Sequence, residues 1–464
     1  MVKDWVKEKW ARELNGRPMT PAPVQELQME RLRQMLVYVK ENSPYYQMKY
    51  RKVYPHKLRT LKDFGTLAFT FPQEVSAHGA GMLCVPQKAV ERIVTQTSSG
   101  STGQVKRICF SGPDQERTLE FFAQGLMEMG LSGKDAMFVL FPCRRPGSVG
   151  ELLCRAGTSM GLDVYPRESV DGWAAAARLM EEKHINCVLG LPGQVLGLAE
   201  MTPQIKVRSV LLSADYVPDG LRRRIETRWD AKVHEHYGMT EMGFAGGMSQ
   251  AAGDGYCLRT PDLYFEIVDE SGCPVPAGTA GEVVFTSLTA QAMPLVRYRT
   301  GDVASWKDMG NQADGVMYME KVRGRLRDGV RCPDGWLLTT AGLDDVIFSS
   351  GRAVHYEACY TDGLPGHLDL TLFTVYSHGL NGKPEVPEEM AAALEGLLLR
   401  HGVRLKLRAE PLFRCSLERL GKKRIQEAEI MQRMPYYIEK PEKTRRSCNE
   451  EAGCPGLGMP KTDN

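Results

Sequence analysis

The sequence predicts an α/β protein: a large N-terminal domain of parallel sheets flanked by helices, a β-rich subdomain within it, and a small α+β C-terminal domain. Three observations predict this. Between about residues 114 and 240, short apolar runs alternate with helical patterns, which implies parallel strands joined by crossover helices. From about 256 to 320 the pattern changes to strands joined by Gly/Pro turns. A polar, glycine-containing stretch, Gly324 to Gly329, then precedes a last mixed region.

The elements follow in order. Leu27, Leu32, Met35, Leu36 and Val39 lie near helical spacing and predict a helix over 24–41, ended by Asn42-Ser43-Pro44. A further helix starts near Asp114. Residues 137–141, 185–191 and 207–212 read as buried strands, and 173–182 and 218–229 as helices. Residues 263–268 and 281–286 are the strands of the β-rich part. The boundary at Gly324–Gly329 divides the chain into 1–324 and 325–440. The second part carries a strand at 369–375, an amphipathic helix at 387–400 and a strand at 403–409. The tail, 441–464, is poor in apolar residues and is expected to be disordered. No internal repeat is present.

Composition narrows the function classes. A chain of 464 residues exceeds one ordinary core, so at least two domains are expected. Lys and Arg number 59 and Asp and Glu 57, a net charge of +2, so nothing in the global charge points to nucleic acid or an anionic membrane. Arg222-Arg223-Arg224 and Lys422-Lys423-Arg424 read first as solvated faces. The N-terminus is charged throughout, without the apolar region of a signal peptide, and no run reaches the length of a membrane span. The 12 cysteines are scattered without a Cys-x-x-Cys pair, which argues against a zinc ribbon, an iron–sulfur site or a disulfide framework and fits a reducing, cytoplasmic setting.

The most informative stretch is Thr95-Gln-Thr-Ser-Ser-Gly-Ser-Thr-Gly-Gln-Val-Lys106. Thr97, Ser98, Ser99, Ser101 and Thr102 surround Gly100 and Gly103. Glycines let backbone N–H groups converge on one anion, and hydroxyls add donors, so this is phosphate-cradle chemistry. It is not a Walker loop, which puts a lysine directly before its final hydroxyl. Alone, it reads equally well as a surface turn. Four segments downstream shift the balance: His236-Tyr237-Gly238-Met239-Thr240-Glu241, Tyr298-Arg299-Thr300-Gly301-Asp302, Gly324-Arg325-Leu326-Arg327-Asp328, and Leu420-Gly421-Lys422-Lys423-Arg424.

In order and spacing these segments resemble the adenylate-forming enzymes: acyl-CoA ligases, luciferases and peptide-synthetase adenylation domains. Within that superfamily the chain most resembles the phenylacetate–coenzyme A ligase branch. The helix at 27–46 with its Asn42-Ser43-Pro44-Tyr45-Tyr46 exit, and Met293-Pro294-Leu295-Val296-Arg297-Tyr298-Arg299, carry the likeness to that branch. The resemblance spans roughly residues 25–430. It implies an ATP- and acyl-binding domain over 1–324 and a small mobile lid over 325–440. The activity implied is that of an AMP-forming acid–CoA ligase. ATP, Mg²⁺ and coenzyme A are then the cofactor and co-substrates, and a small carboxylic acid is the substrate. A homodimer is left open; neither nucleic acid nor membrane is an expected partner.

The resemblance also implies roles. Ser98, Ser99, Gly100, Ser101, Thr102 and Gly103 would hold the β- and γ-phosphates. Where family members often have a lysine after the loop's last glycine, this chain has Gln104, and the nearest lysine is Lys106. Thr240 and Glu241 would sit at the α-phosphate, Glu241 on Mg²⁺; as a bare pair they read as a helix start. Tyr237 and Gly238 would face adenine, with Ser213, Ala214 and Asp215 on its other side at a strand end. Asp302 would accept both ribose hydroxyls, against the plainer reading of a turn aspartate. Arg325 would bind ribose or phosphate from the hinge, where Arg327 replaces the family's usual Asp or Lys and Asp328 is a substitute. Lys422 would serve adenylation from the lid, with Lys423 the competing candidate. His236, with His234 nearby, would touch the acyl substrate; a packed histidine is the alternative.

Some members of the branch carry a Cys/His metal cluster after the Tyr-Gly-x-Thr-Glu segment. Here only Cys257 and Cys273 occur there, without histidine, so no such site is expected. The 141–150 stretch has Arg144 and Arg145 in place of the branch's aromatic, glycine-rich pattern, so phenylacetate is not the favoured acid and an aryl or short polar carboxylate is. Two other readings remain: an adenylyltransferase acting without CoA, and a degenerate nucleotide-binding member without activity.

Overall fold

The computed structural model describes residues 2–97, 105–249, 255–308, 315–325, 329–363, 366–376, 385–412, 415–417 and 419–428. The loop Ser98–Gly103, Gln104, Arg327, Asp328 and the tail 441–464 lie outside them.

Five helices open the chain: α1 (Val2–Leu14), α2 (Pro21–Asn42), α3 (Pro44–Lys49), α4 (Leu61–Phe64) and α5 (Pro72–His78). The charged N-terminus is thus an amphipathic helix. Val2, Trp5, Val6, Trp10 and Leu14 recur at helical spacing and are buried. β1 (Arg92–Thr97) and β2 (Val105–Phe110) form an antiparallel hairpin.

Next come α6 (Gly112–Glu128), β3 (Ala136–Val139), α7 (Val149–Ser159), β4 (Asp163–Pro166), α8 (Gly172–Glu182) and β5 (Cys187–Gly190). They are followed by α9 (Pro192–Met201), β6 (Ser209–Ser213), α10 (Asp219–Trp229) and β7 (Lys232–Tyr237). Asp114 starts α6 as expected, as the third residue of a capping box with Ser111. β4, β3, β5, β6 and β7 run parallel. Side chains alternate across β3: Ala136, Phe138 and Leu140 enter the core beneath α8–α10, and Met137, Val139 and Phe141 enter the core beneath α6 and α7.

The helices flank the sheet as expected, but the sheet is mixed where parallel strands were expected. β8 (Gly247–Met248), β9 (Tyr256–Leu258) and β13 (Tyr318–Met319) continue the same sheet antiparallel, so its order is β13-β9-β8-β7-β6-β5-β3-β4 and it is mixed. β7 and β8 are joined by residues 238–246, with one 3₁₀ turn at Thr240–Met242, which is too short for the crossover that a parallel neighbour needs. The β-rich part is a three-stranded antiparallel sheet of β10 (Leu263–Val268), β11 (Gly281–Ser287) and β12 (Tyr298–Ala304).

Beyond Gly324 come the hairpin β14 (Val330–Arg331) and β15 (Leu337–Leu338), α11 (Thr340–Ser349), β16 (Ala353–Asp362), β17 (Leu368–Tyr376), α12 (Glu388–Leu398), β18 (Val403–Pro411) and β19 (Ile425–Glu427). The last four strands form one mixed sheet, β18-β17-β16-β19. This region is docked on α8–α10 through a continuous apolar core that includes Trp173, Val195, Leu221, Phe348, Tyr356 and Leu420. Gly220 is required there, because a Cβ would meet the Phe348 carbonyl oxygen at 2.2 Å. No helix among the described residues is long and apolar enough to cross a membrane.

Candidate active site

The carboxyl ends of β6 and β7 open onto a polar cleft of about 630 Å³. Ala214, Asp215, His236, Tyr237, Gly238, Asp302, Arg325 and Lys422 all line it. Residues from five separate stretches of sequence therefore share one site. Ala214 has φ +68°, a left-handed conformation unfavourable for a residue with a Cβ, at the turn that leaves β6. Gly238 has no such φ but no room: a Cβ there would lie 2.1 Å from the Phe244 carbonyl oxygen.

Asp302 lies within β12, not in a turn, which corrects the plainer reading of it. Its carboxylate is buried and prearranged. Oδ2 accepts from the Tyr237 hydroxyl at 2.9 Å and Oδ1 from Arg325 Nε at 2.8 Å. Arg325 is also bridged to Asp302 through the backbone. Burial and the neighbouring Asp302 push the Tyr237 phenol up, so it stays a donor. Tyr237 stacks on Tyr256, ring centres 5.6 Å apart, so one of its faces is already covered.

Thr240 and Glu241 form a short 3₁₀ turn after β7, not the start of an α-helix. Gln96 and Lys106, directly paired across β1 and β2, reach them. Gln96 Nε2 donates to Thr240 Oγ1 at 2.6 Å, and Lys106 Nζ pairs with Glu241 Oε1. The Tyr298 hydroxyl donates to the same oxygen at 3.0 Å. The strands bracketing residues 98–104 are thus anchored beside Thr240 and Glu241. Sequence reading missed Gln96, Tyr298 and Tyr256 and gave Lys106 no role. One signal was available: strands on both sides of a short loop place 96 and 106 opposite each other. Among the described residues, both side-chain contacts to Glu241 fall on Oε1. A buried carboxylate of this kind suits Mg²⁺, which takes one or two carboxylates together with phosphate oxygens. No cluster of three or more metal-ligating side chains occurs among the described residues.

His236 also borders a second, apolar cavity of about 390 Å³. Phe121, Phe122, Leu126, Phe141, Leu153, Leu211 and Met248 line it, with Ser213 the other polar residue. Gly125 leaves space there: a Cβ would approach Met248 Sδ to 3.0 Å. Ser213 Oγ lies 2.8 Å from His236 Nδ1. His236 Nε2 is buried without a protein partner among the described residues. Burial, with Arg259 adding to it, pushes the imidazole down to about 4, so it is neutral at neutral pH. His234 is fully buried and lines neither cavity. Arg144 and Arg145 are exposed and do not line the apolar cavity.

This is the arrangement of an adenylate-forming enzyme, a polar cleft at strand ends meeting an apolar cavity. The AMP-binding enzyme family model matches residues 38–291, more than half of the chain, and the chain belongs to that family. It is an enzyme of the AMP-forming acid–CoA ligase family. Phenylacetate–coenzyme A ligase of Pseudomonas putida is 28% identical over 328 residues, covering 67% of this chain and 73% of the relative. The ligase of the same name from Escherichia coli is 27% identical, covering 66% and 72%. The fold is similar to 2-hydroxyisobutyryl-CoA ligase in the postadenylation state in complex with R3-HIB-AMP, at TM-score 0.71 and 20% identity over 89% of this chain and 92% of that one.

Proposed function

We propose that the protein is an ATP-dependent carboxylic acid–CoA ligase. The acid's carboxylate attacks the α-phosphorus of ATP, forming an acyl adenylate and releasing pyrophosphate. The CoA thiol then attacks the acyl carbon, forming the thioester and releasing AMP. One observation carries this reading: the polar cleft and the apolar cavity meet at His236, where a nucleotide phosphate and an acyl carboxylate must meet to react.

In this reading the Asp302 carboxylate, preset by Tyr237 and Arg325, holds the ribose hydroxyls. Ser213, Ala214 and Asp215 form the wall facing Tyr237 and Gly238. Ser98 to Gly103 cradle the terminal phosphates, and Thr240 contacts the α-phosphate. Glu241 holds Mg²⁺, which offsets phosphate charge when bound. Lys422 supplies the cation between the carboxylate and the α-phosphate. His236, neutral and held by Ser213, turns its Nε2 to the acyl group. The hinge falls at 324–328.

The apolar lining favours an acid with an uncharged aryl or branched aliphatic body over a short polar one. Of the unusual 141–150 stretch, Phe141 and Val149 line the apolar cavity and Arg144 and Arg145 do not, so phenylacetate enters the substrate search on equal terms.

A carboxylic-acid library assayed for pyrophosphate release, with and without CoA, tests the reading. AMP release that depends on CoA supports it. Pyrophosphate release indifferent to CoA favours an adenylyltransferase. No release with any acid, with ATP still bound, leaves only a nucleotide binder.

Asp302→Ala should weaken ATP binding by about 1–3 kcal/mol, the cost of stranding buried donors, or roughly 5- to 150-fold in Kd. Calorimetric titration measures this, and unchanged affinity refutes the ribose assignment.

A further inference from the structure

Lys423 follows the lysine assigned to adenylation and, at the wall of the same cleft, is buried where Lys422 is exposed. Its side chain is 2% exposed. Nζ lies 2.8 Å from Asp344 Oδ2 and 3.8 Å from Asp215 Oδ2, with the rings of Phe348 and Tyr356 beside it at 5.0 and 6.0 Å. The backbone N–H of Lys423 donates to Asp215 Oδ2 at 3.1 Å. Asp215 leaves β6 in the large sheet, whereas Asp344 on α11 and Lys423 before β19 belong to the region beyond Gly324. One buried ammonium therefore joins two parts of the molecule next to Lys422.

Stability alone does not account for this. Removing a buried ion pair from water costs about as much as the pairing returns, and apolar residues of similar size usually do as well or better. Phe348 and Tyr356 already supply an apolar setting. A charge pair has two properties that an apolar plug lacks. It accepts only an opposite charge as partner, so together with the directional backbone N–H bond to Asp215 it sets the register of the chain that carries it. It also regains hydration when pulled apart, so the contact can be reversed.

We propose that Lys423 is a positioning residue: clamped by Asp215 and Asp344, it fixes Lys422 over the nucleotide cleft, and its contacts with Asp215 break when the C-terminal region swings away. This rests on the adenylation reading given above.

The test compares wild type with Lys423→Met, which keeps the volume and loses the charge, and with Lys423→Arg. The thermal midpoint of Lys423→Met should fall, because Asp344 and Asp215 lose their buried partner, and adding Asp344→Asn should restore part of it. The adenylation kcat of Lys423→Met, read as pyrophosphate exchange, should fall by on the order of 10- to 100-fold, the cost of a misplacement near 1 Å. ATP affinity should hold, thioester formation from supplied acyl adenylate should fall less than adenylation, and Lys423→Arg should recover part of the rate. Small-angle X-ray scattering without substrates should show a more extended population for Lys423→Met. Wild-type adenylation in the Met variant, equal losses in both half-reactions, or unchanged scattering would each overturn the proposal. If wild type shows no exchange with any acid, the adenylation reading fails, and the scattering comparison still decides whether Lys423 is a latch.

Discussion

Lys422→Ala is expected to lose acyl-adenylate formation by a factor of roughly 10²–10³, equivalent to about 3–4 kcal/mol, the scale of one preorganised donor in a water-poor site. Lys422 lines the cleft that also holds Asp302, Arg325 and Tyr237, within reach of a nucleotide seated there. As the acid attacks, negative charge builds between carboxylate and α-phosphate, and an ammonium at that point stabilises the transition state more than either ground state. The thioester step has a different geometry. If the C-terminal region rotates about 324–328 to admit the thiol, it carries Lys422 away. The variant should then convert supplied acyl adenylate to acyl-CoA at near wild-type rate. Single-turnover assays of the two half-reactions measure this. Equal loss in both, in a folded variant, contradicts a lysine that alternates. No loss in either moves the assignment to Lys423.

Arg297→Met should destabilise the protein by about 3–5 kcal/mol, the cost of leaving one partner of a buried pair alone. Arg297 is 1% exposed. Nε and one Nη hydrogen-bond the two oxygens of Glu266 on β10 at 3.1 and 3.0 Å, and the other Nη donates to the carbonyls of Gly65 and Leu67. Burial already pushes the Glu266 carboxyl up, and the guanidinium opposes that shift. Without Arg297, Glu266 must either remain charged in an apolar setting or take up a proton, and two carbonyls lose their donor. The denaturant midpoint reads the loss. Adding Glu266→Gln should restore part of it, since the two residues act as one unit. A midpoint close to wild type would show that the pair is dispensable.

Much of the secondary structure was legible in the chain. The apolar run at 263–268 became β10 with those bounds, and the pattern at 173–182 became α8, one residue longer. Period and flanking turn residues carry such local information. The N-terminal helix was not read, although Trp5, Val6, Trp10 and Leu14 lie at helical spacing, because its many charges masked the stripe. The antiparallel end of the sheet was not legible, because strands as short as β8 carry no period of their own. In the site, residue types and order pointed to Asp302, Glu241 and Lys422, since each belongs to a short run with recognisable chemistry.

What lay beyond the sequence were the pairings. Nothing local tells Gln96 and Lys106 that they meet Thr240 and Glu241, or Asp302 that Tyr237 and Arg325 hold its two oxygens. The same applies to Lys422 and Lys423, adjacent and identical in type. Both border the cleft, but one is exposed and the other is buried against Asp215 and Asp344. By itself, the sequence determined the class of fold, the order of the elements and the kinds of group brought to the site, because periodicity and side-chain chemistry are properties of a few neighbouring residues. Only the tertiary structure decided which carboxylate faces which cation, which histidine borders the apolar cavity and which lysine is buried. Burial and contact across more than a hundred residues depend on where the whole chain packs.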